Sequence, residues 1–283
     1  MHRTRIAPRL ALLLPLAVLP ACQAAGSLLG QSPRPTARLG AVSIQDLSLD
    51  GLTLAFELEV QNPYDSLLPV AALDYRITQG GRLFLEGDAE FQDGIPARGA
   101  RTLPLTARVG FAELLQTLQD ITPGTILPYE ADLGVAVDAP VLGELRLPLS
   151  HRGELPVPAL PAVSVKNIEW RELSLQKASA VLRLGLGNTN QFPLELARID
   201  YALSLAGAPI ASSQLQQALA LAPGGEEELE LEFTLRPIDL GLSVFNVLTG
   251  SSAEYRLTGE LAGDSPFGPL SFPLDEQGNA PFL

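Results

Sequence analysis

Few residues in this chain are of a type that carries chemistry. Its 283 residues hold one cysteine, Cys22, and two histidines, His2 and His151. A single cysteine excludes a disulfide framework and a cysteine-built zinc site. His151 opens a proline-rich stretch, His151 to Ala162, and reads as a solvated loop residue rather than the base of a nucleophile triad. Carboxylates are plentiful, with 32 Asp and Glu against 19 Lys and Arg. Asp132 with Asp138, and Glu57 with Glu59, alternate with apolar residues, which marks them as outward-facing solubilising charge. Glu226-Glu227-Glu228 follows Pro223-Gly224-Gly225 and reads as a solvated turn and edge guard, not a metal site. Gly185-Leu186-Gly187 lacks the third glycine and the helix that a phosphate loop requires. The sequence therefore predicts no catalytic residue, no metal ligand and no cofactor. A formal net charge of −13 repels phosphate backbones and argues against nucleic acid as a partner.

The first residues follow different rules. Arg3, Arg5 and Arg9 precede an apolar run, Leu10 to Leu19, and small residues follow at Ala21. A basic start, a short apolar core and a small-residue boundary describe a secretory signal peptide over residues 1–21. A membrane-spanning helix needs about twenty apolar residues, and Pro15 and Pro20 interrupt this run. Leu19-Pro20-Ala21-Cys22 resembles the bacterial lipobox, with Pro20 a departure from the usual small residue. The resemblance implies cleavage between Ala21 and Cys22 and acylation of Cys22. With Gln23 rather than Asp after the cysteine, it also implies an outer-membrane anchor facing the periplasm in a Gram-negative host. Residues 22–40 are rich in Gly, Ala, Ser and Pro and are expected to be a flexible tether.

The remainder is one unit written twice at a spacing of 126 residues. Asn62, Asp74-Tyr75, Gly81, Gly124 and Tyr129 recur as Asn188, Asp200-Tyr201, Gly207, Gly250 and Tyr255. Each unit is domain-sized, 41–150 and 163–283, and the prolines of 151–162 predict a stiff linker. Within each unit the apolar residues alternate: Leu52 to Val60, Leu73 to Ile77, Leu103 to Val109 and Leu127 to Val137. The second unit answers with Ala180 to Leu186, Ile199 to Leu205, Leu229 to Leu235, and Tyr255 with Leu257. Period two means half-buried strands, although leucine and alanine favour helix by propensity. One segment per unit has helical spacing instead, Phe111 to Leu118 and Ile238 to Leu248, each expected as a single short helix. These elements predict two tandem antiparallel β-sandwiches, immunoglobulin or fibronectin III-like, with one short helix apiece.

Turn residues link these strands in a recognisable pattern. Asn62-Pro63-Tyr64 and Pro69 precede the strand of Tyr75, and Asn188-Thr189-Asn190 and Pro193 precede that of Tyr201; Gly81 and Gly207 follow, and later Pro96-Ala97-Arg98-Gly99 and Pro223-Gly224-Gly225. The pattern resembles the late-embryogenesis-abundant type 2 family, built on the water stress and hypersensitive response (WHy) domain. Thr189 and Gln191 stand where that family usually has proline. Asn ends a strand through its side-chain amide and Pro stops pairing, so the motif is expected to be structural. Tyr75 and Tyr201 are expected on the core or a sheet face, with hydroxyls bonded to backbone.

The resemblance implies a non-catalytic role in desiccation or osmotic stress, with client proteins or membrane surfaces as partners. Two other classes stay open on the sequence. One is a carrier of lipid or another amphiphile. The other is an adaptor that docks an envelope protein on a sheet edge.

Overall fold

The structure is a computed structural model, and it describes residues 33–91, 93–140 and 142–283. Ala21, Cys22 and the expected signal peptide lie outside the described residues.

Alternation of leucine with charged residues builds the strands. The first repeat contains β1 (Thr36–Gln45), β2 (Gly51–Gln61), β3 (Val70–Gln79), β4 (Arg82–Ala89), β5 (Ala100–Gly110), α1 (Phe111–Thr117), β6 (Ile126–Ala139) and β7 (Gly143–Pro156). The second contains β8 (Ala162–Leu173), β9 (Ala178–Gly187), β10 (Leu194–Leu205), β11 (Ala208–Leu221) and β12 (Glu226–Leu235). It continues with α2 (Pro237–Leu240), α3 (Leu242–Leu248), β13 (Ser252–Ser265) and β14 (Gly268–Pro281). In each repeat a three-stranded sheet faces a four-stranded one: β1-β2-β5 with β4-β3-β6-β7, then β8-β9-β12 with β11-β10-β13-β14. All these ladders are antiparallel. The sequence repeat is also a repeat in register. Leu52 pairs with Val109 and Ala178 with Leu235; Tyr75 pairs with Leu133 and Tyr201 with Gly259.

Each sandwich closes on its own apolar interior. Phe56, Leu58, Leu73, Ile77, Leu105 and Val135 fill the first, and Leu182, Phe192, Ile199, Leu231 and Phe272 the second. A leucine lost from such sites costs about 2–5 kcal/mol, because the cavity does not fully collapse. Leu47 packs against both cores, and Leu49 and Ile126 of the first repeat pack against the core of the second.

Three sequence expectations are corrected. Residues 36–40, expected as tether, are the first half of β1. Residues 151–156, expected as linker, continue β7, paired with β6 as far as Ile126 with Pro156. Only residues 157–161 lie between the two strands. Proline is tolerated there because β7 is an edge strand, where a missing N–H need not break the ladder. The third correction concerns the second helical segment, which is two helices. Gly241, at φ +95°, ends α2 and starts α3, a conformation that glycine adopts without strain.

Candidate functional site

The asparagines that open each turn motif are almost wholly buried, Asn62 at 3 % exposure and Asn188 and Asn190 at 2 %. A buried amide must satisfy its donors and its acceptor internally. The Asn62 Nδ2 donates to the carbonyls of Ser66 at 2.8 Å and of Ile95 and Pro96, both at 3.0 Å. Its Oδ1 accepts from the Tyr64 N–H at 2.9 Å. One side chain thereby ties the end of β2 to the approach to β3 and to the loop before β5. Asn188 repeats the device, donating to Phe192 O at 2.8 Å and Leu221 O at 3.1 Å. Its Oδ1 accepts from both the backbone N–H and the Nδ2 of Asn190, each at 3.0 Å.

Pro63 is half-buried beside Asn62, while Pro69 and Pro193 lie exposed just before β3 and β10. The Pro69 carbonyl accepts from Asp138 N–H at 3.1 Å.

In the second repeat this turn also grips the first. Asn190 Oδ1 accepts from Ala159 N–H at 2.7 Å, and its Nδ2 donates to Ala159 O at 3.2 Å. Gln191 N–H donates to Gly124 O at 2.7 Å, and Gln191 Oε1 accepts from Ile126 N–H at 3.0 Å. Thr189 Oγ1 donates to Leu160 O at 3.2 Å. A proline at 191 would have no N–H for Gly124. The two departures from the family pattern thus both make contacts at the junction, beside those of Asn190. Gly124 holds φ +94°, and a Cβ there would lie 2.7 Å from Thr189 O. In the first repeat the corresponding Asp65 instead takes a two-pronged contact from Arg98, at 2.7 and 2.8 Å. That guanidinium holds the Asp65 carboxyl below the usual carboxylate range.

Tyrosines and glycines form a second pattern that spacing alone does not reveal. Tyr75 pairs with Gly87, Tyr129 with Gly153 and Tyr255 with Gly278. A Cβ on Gly87 would meet the Tyr75 hydroxyl at 2.6 Å, and one on Gly153 the Tyr129 hydroxyl at 2.8 Å. The ring covers the side-chain gap of the glycine opposite, which protects an otherwise weak point in a strand. Tyr201 lies in the core at 5 % exposure, and Tyr75 is half-buried. Among the described residues neither hydroxyl has the backbone partner expected of it. Burial raises Tyr201, raises Tyr75 with help from Asp88, and pushes Tyr129 up to about 12.

His151 is not the solvated loop residue that its surroundings in sequence suggest. It lies on β7 opposite Ala131, half-buried, its ring 5.9 Å from that of Tyr129 and 6.3 Å from that of Phe56. Desolvation lowers its basicity.

The charged faces carry ladders of ion pairs. Arg146 meets Asp74, Lys166 meets Glu226 at 2.8 Å, and Arg183 bridges Glu230 at 2.9 Å and Glu169 at 3.0 Å. Asp132 and Asp138 are exposed on β6 as expected, and Glu226, Glu227 and Glu228 are exposed at the start of β12, an edge strand. A concave site of about 770 Å³ lies over Asp74, Arg76, Glu86, Asp88, Asp132 and Arg146. Another of about 350 Å³, at the junction of the repeats, is lined by Gln79, Arg82, Asp120, Thr125 and Gln191 together with Leu118, Ile121, Ile126 and Leu127. Among the described residues no group of three His, Cys, Asp or Glu is placed to hold a metal ion. No helix among them is long and apolar enough to cross a membrane.

These features define a class: tandem β-sandwiches whose buried polar residues pin loops together. Residues 57–153 and 183–278 each match the family model for late embryogenesis abundant protein (LEA_2), and the chain belongs to that family. The two matched regions begin 126 residues apart, one in each sandwich. Relatives align with roughly one repeat. A desiccation-related protein of Craterostigma plantagineum is 29% identical over 127 residues, 45% of this chain and 84% of its own. A desiccation protectant protein, a Lea14 homolog of Glycine max, is 28% identical over 128 residues, with the same shares. A solution structure of a late embryogenesis abundant protein from Arabidopsis thaliana aligns at 24% identity and TM-score 0.38, over 48% of this chain and 78% of that one.

Proposed function

We propose that this chain is a lipid-anchored protein of a bacterial envelope that protects its surroundings during desiccation or osmotic stress. The observation that carries the reading is the doubled LEA_2 match together with relatives named for desiccation. In this reading each sandwich is a WHy domain. The signal peptide is cleaved after Ala21 and Cys22 carries the acyl chains. Because one acyl chain alone binds a bilayer only marginally, stable anchoring calls for two or more. The anchor is in the outer membrane, facing the periplasm, if the host is Gram-negative. The acidic charge keeps neighbouring copies apart and hydrated while they shield client proteins or membrane surfaces.

Shape favours this reading over a lipid carrier. A carrier needs an apolar cavity, whereas the larger concave site described above is lined mainly by charged side chains, and the smaller one mixes Gln79, Arg82, Asp120 and Gln191 with Leu118, Ile121, Ile126 and Leu127.

Two measurements test the proposal. Cells fed labelled palmitate are expected to label the wild-type protein and not Cys22→Ser. Cells lacking the gene are expected to lose viability on drying and to regain it with the wild-type gene. Equal survival with and without the gene, under both drying and osmotic shock, overturns the protective role. A lipid that co-purifies at one per chain would favour the carrier.

A further inference from the structure

Each sandwich has a turn end and a helix end. β1 begins beside the Asn62 turn, with Thr36 opposite Gln61, and β8 beside the Asn188 turn, with Ala162 opposite Gly187. At the other end Gly51 of β2 faces Gly110 of β5, next to α1, and Ala178 of β9 faces Leu235 of β12, next to α2. The helix end of the first repeat is covered by the second, since Gly124 meets Gln191 there and Leu49 packs against the second core. The helix end of the second repeat has no third sandwich upon it. Leu175, the counterpart of Leu49, instead accepts from Ile238 N–H at 2.9 Å, which ties α2 to the turn after β8.

The helix at this uncovered end is the more apolar of the two. At the spacing of 126 residues, Ala112, Gln116 and Gln119 of the first repeat become Ile238, Leu242 and Phe245. The first three are exposed, as the polar face of a surface helix should be. Ile238 is nonetheless 47 % and Leu242 63 % exposed, and Phe245, one turn on, is half-buried. From Pro237 to Ala253 the single charged residue is Asp239, in a chain of formal charge −13. Charges at this end cancel in pairs, Arg236 with Asp239 at 3.6 Å and Lys177 with Glu172 at 2.7 Å. Solubility alone favours the polar set at these positions, so their exchange for bulky apolar side chains marks a contact surface.

We propose that the α2–α3 tip is a membrane-contact site, which inserts Ile238, Leu242 and Phe245 into the interfacial zone of a lipid bilayer of no net charge. These side chains offer at most about 300 Å², against about 800 Å² per partner in a stable protein complex. A bilayer demands neither that area nor a matching shape, and a few apolar side chains on a neutral tip suffice for shallow, reversible insertion. A second copy is the poorer occupant. The turn that covers this end in the first repeat bears Thr189 and Gln191, whereas the free turn of another copy bears Pro63 and an Asp65 held by Arg98. The described chain enters at the turn end of the first repeat, and the tip is the helix end of the second, so tether and tip lie at opposite ends of the joined pair. The inference borrows from the protective reading only the presence of a membrane nearby.

The test uses the chain from Gln23, which carries every described residue and no cysteine, with vesicles of phosphatidylcholine and phosphatidylethanolamine. A polarity-sensitive fluorophore on Leu242→Cys is expected to brighten and shift to the blue when vesicles are added. The same label on Gln116→Cys, its counterpart in the first repeat, is expected to respond as it does in water. The unlabelled chain is expected to co-sediment with the vesicles, and Ile238→Ser combined with Leu242→Ser to weaken that partition about tenfold or more. Urea unfolding of the double variant should match the parent, since both side chains are exposed; if it does not, Leu242→Ser alone is expected to weaken partition about threefold or more. Added salt is expected to leave partition unchanged, because the tip carries no net charge. Equal responses from the two labels overturn the proposal. So do an absence of co-sedimentation, partition that salt abolishes or that survives the substitutions, and a dimer that the substitutions dissolve. None of these readouts involves Cys22 or drying, so failure here is distinguishable from failure of the protective role.

Discussion

Asn62 and Asn188 are the residues on which the turn geometry depends most directly. Asn62→Ala would remove the amide's bonds to three carbonyls, of which Ile95 O and Pro96 O keep backbone donors in Leu68 and Gly99, and would leave the Tyr64 N–H and the Ser66 carbonyl without Asn62; the expected loss is about 2–4 kcal/mol by urea unfolding. Asn62→Asp keeps the acceptor for Tyr64 N–H but points a carboxylate at the carbonyls of Ser66, Ile95 and Pro96, so it should be at least as damaging. A loss under about 1 kcal/mol for both variants would show that the amide is dispensable. His151 gives a pH signature. Its folded pKa is lowered by burial, so the unfolded chain binds more protons as the pH falls below the ordinary histidine value. Stability is therefore expected to fall from neutral pH through that value and to level off below the folded pKa. Denaturant unfolding at pH 7.5 and 5 measures the slope, and His151→Gln should reduce it. The asparagines were legible in sequence as turn residues. His151 was not, because prolines on both sides disguise an edge strand as a linker.

Cross-strand pairs decide the behaviour of the elements. Gly87→Val would push a side chain into the Tyr75 ring, at an expected cost of about 1–3 kcal/mol. Tyr75→Ala should remove the clash, and a double-mutant cycle reads the coupling directly. Additive effects of the two substitutions would mean the ring does not depend on the glycine. Strands β2, β3, β5, β6 and their counterparts were readable because leucine alternates cleanly with polar residues. β4 and β11 were harder, since they depend on hairpin residues with positive φ, Gly80-Gly81 and Ala206-Gly207. The tyrosine–glycine pairs needed the register, which no local spacing supplies. The helix pair α2–α3 was read as one helix because Gly241 falls within an otherwise helical pattern.

Contacts through Thr189, Asn190 and Gln191 make the repeats a joined pair rather than two domains on a string. Substituting the family's usual residue is a pointed test. Thr189→Pro sacrifices one exposed hydroxyl contact and should change little. Gln191→Pro removes both the N–H to Gly124 and the side-chain oxygen that receives Ile126 N–H. Calorimetry of Gln191→Pro is expected to separate the unfolding of the repeats into two transitions where the parent shows stronger coupling. An unchanged profile would show that the apolar contacts of Leu49 and Ile126 suffice. The sequence displayed Thr189 and Gln191 only as imperfections in a motif. Their use became visible once Gly124 and Ile126, distant in sequence, were seen beside Gln191 in the fold.

That joint also gives the duplication a direction. The first repeat offers Gly124, and the connection after it Ala159, to the second repeat, while the first repeat's own turn bears Pro63 and an Asp65 already engaged by Arg98. A gene rearranged to encode the second sandwich before the first would bring together surfaces that no longer match. The two copies have diverged into a leading and a following module, and their order along the chain is now part of the information that the fold requires.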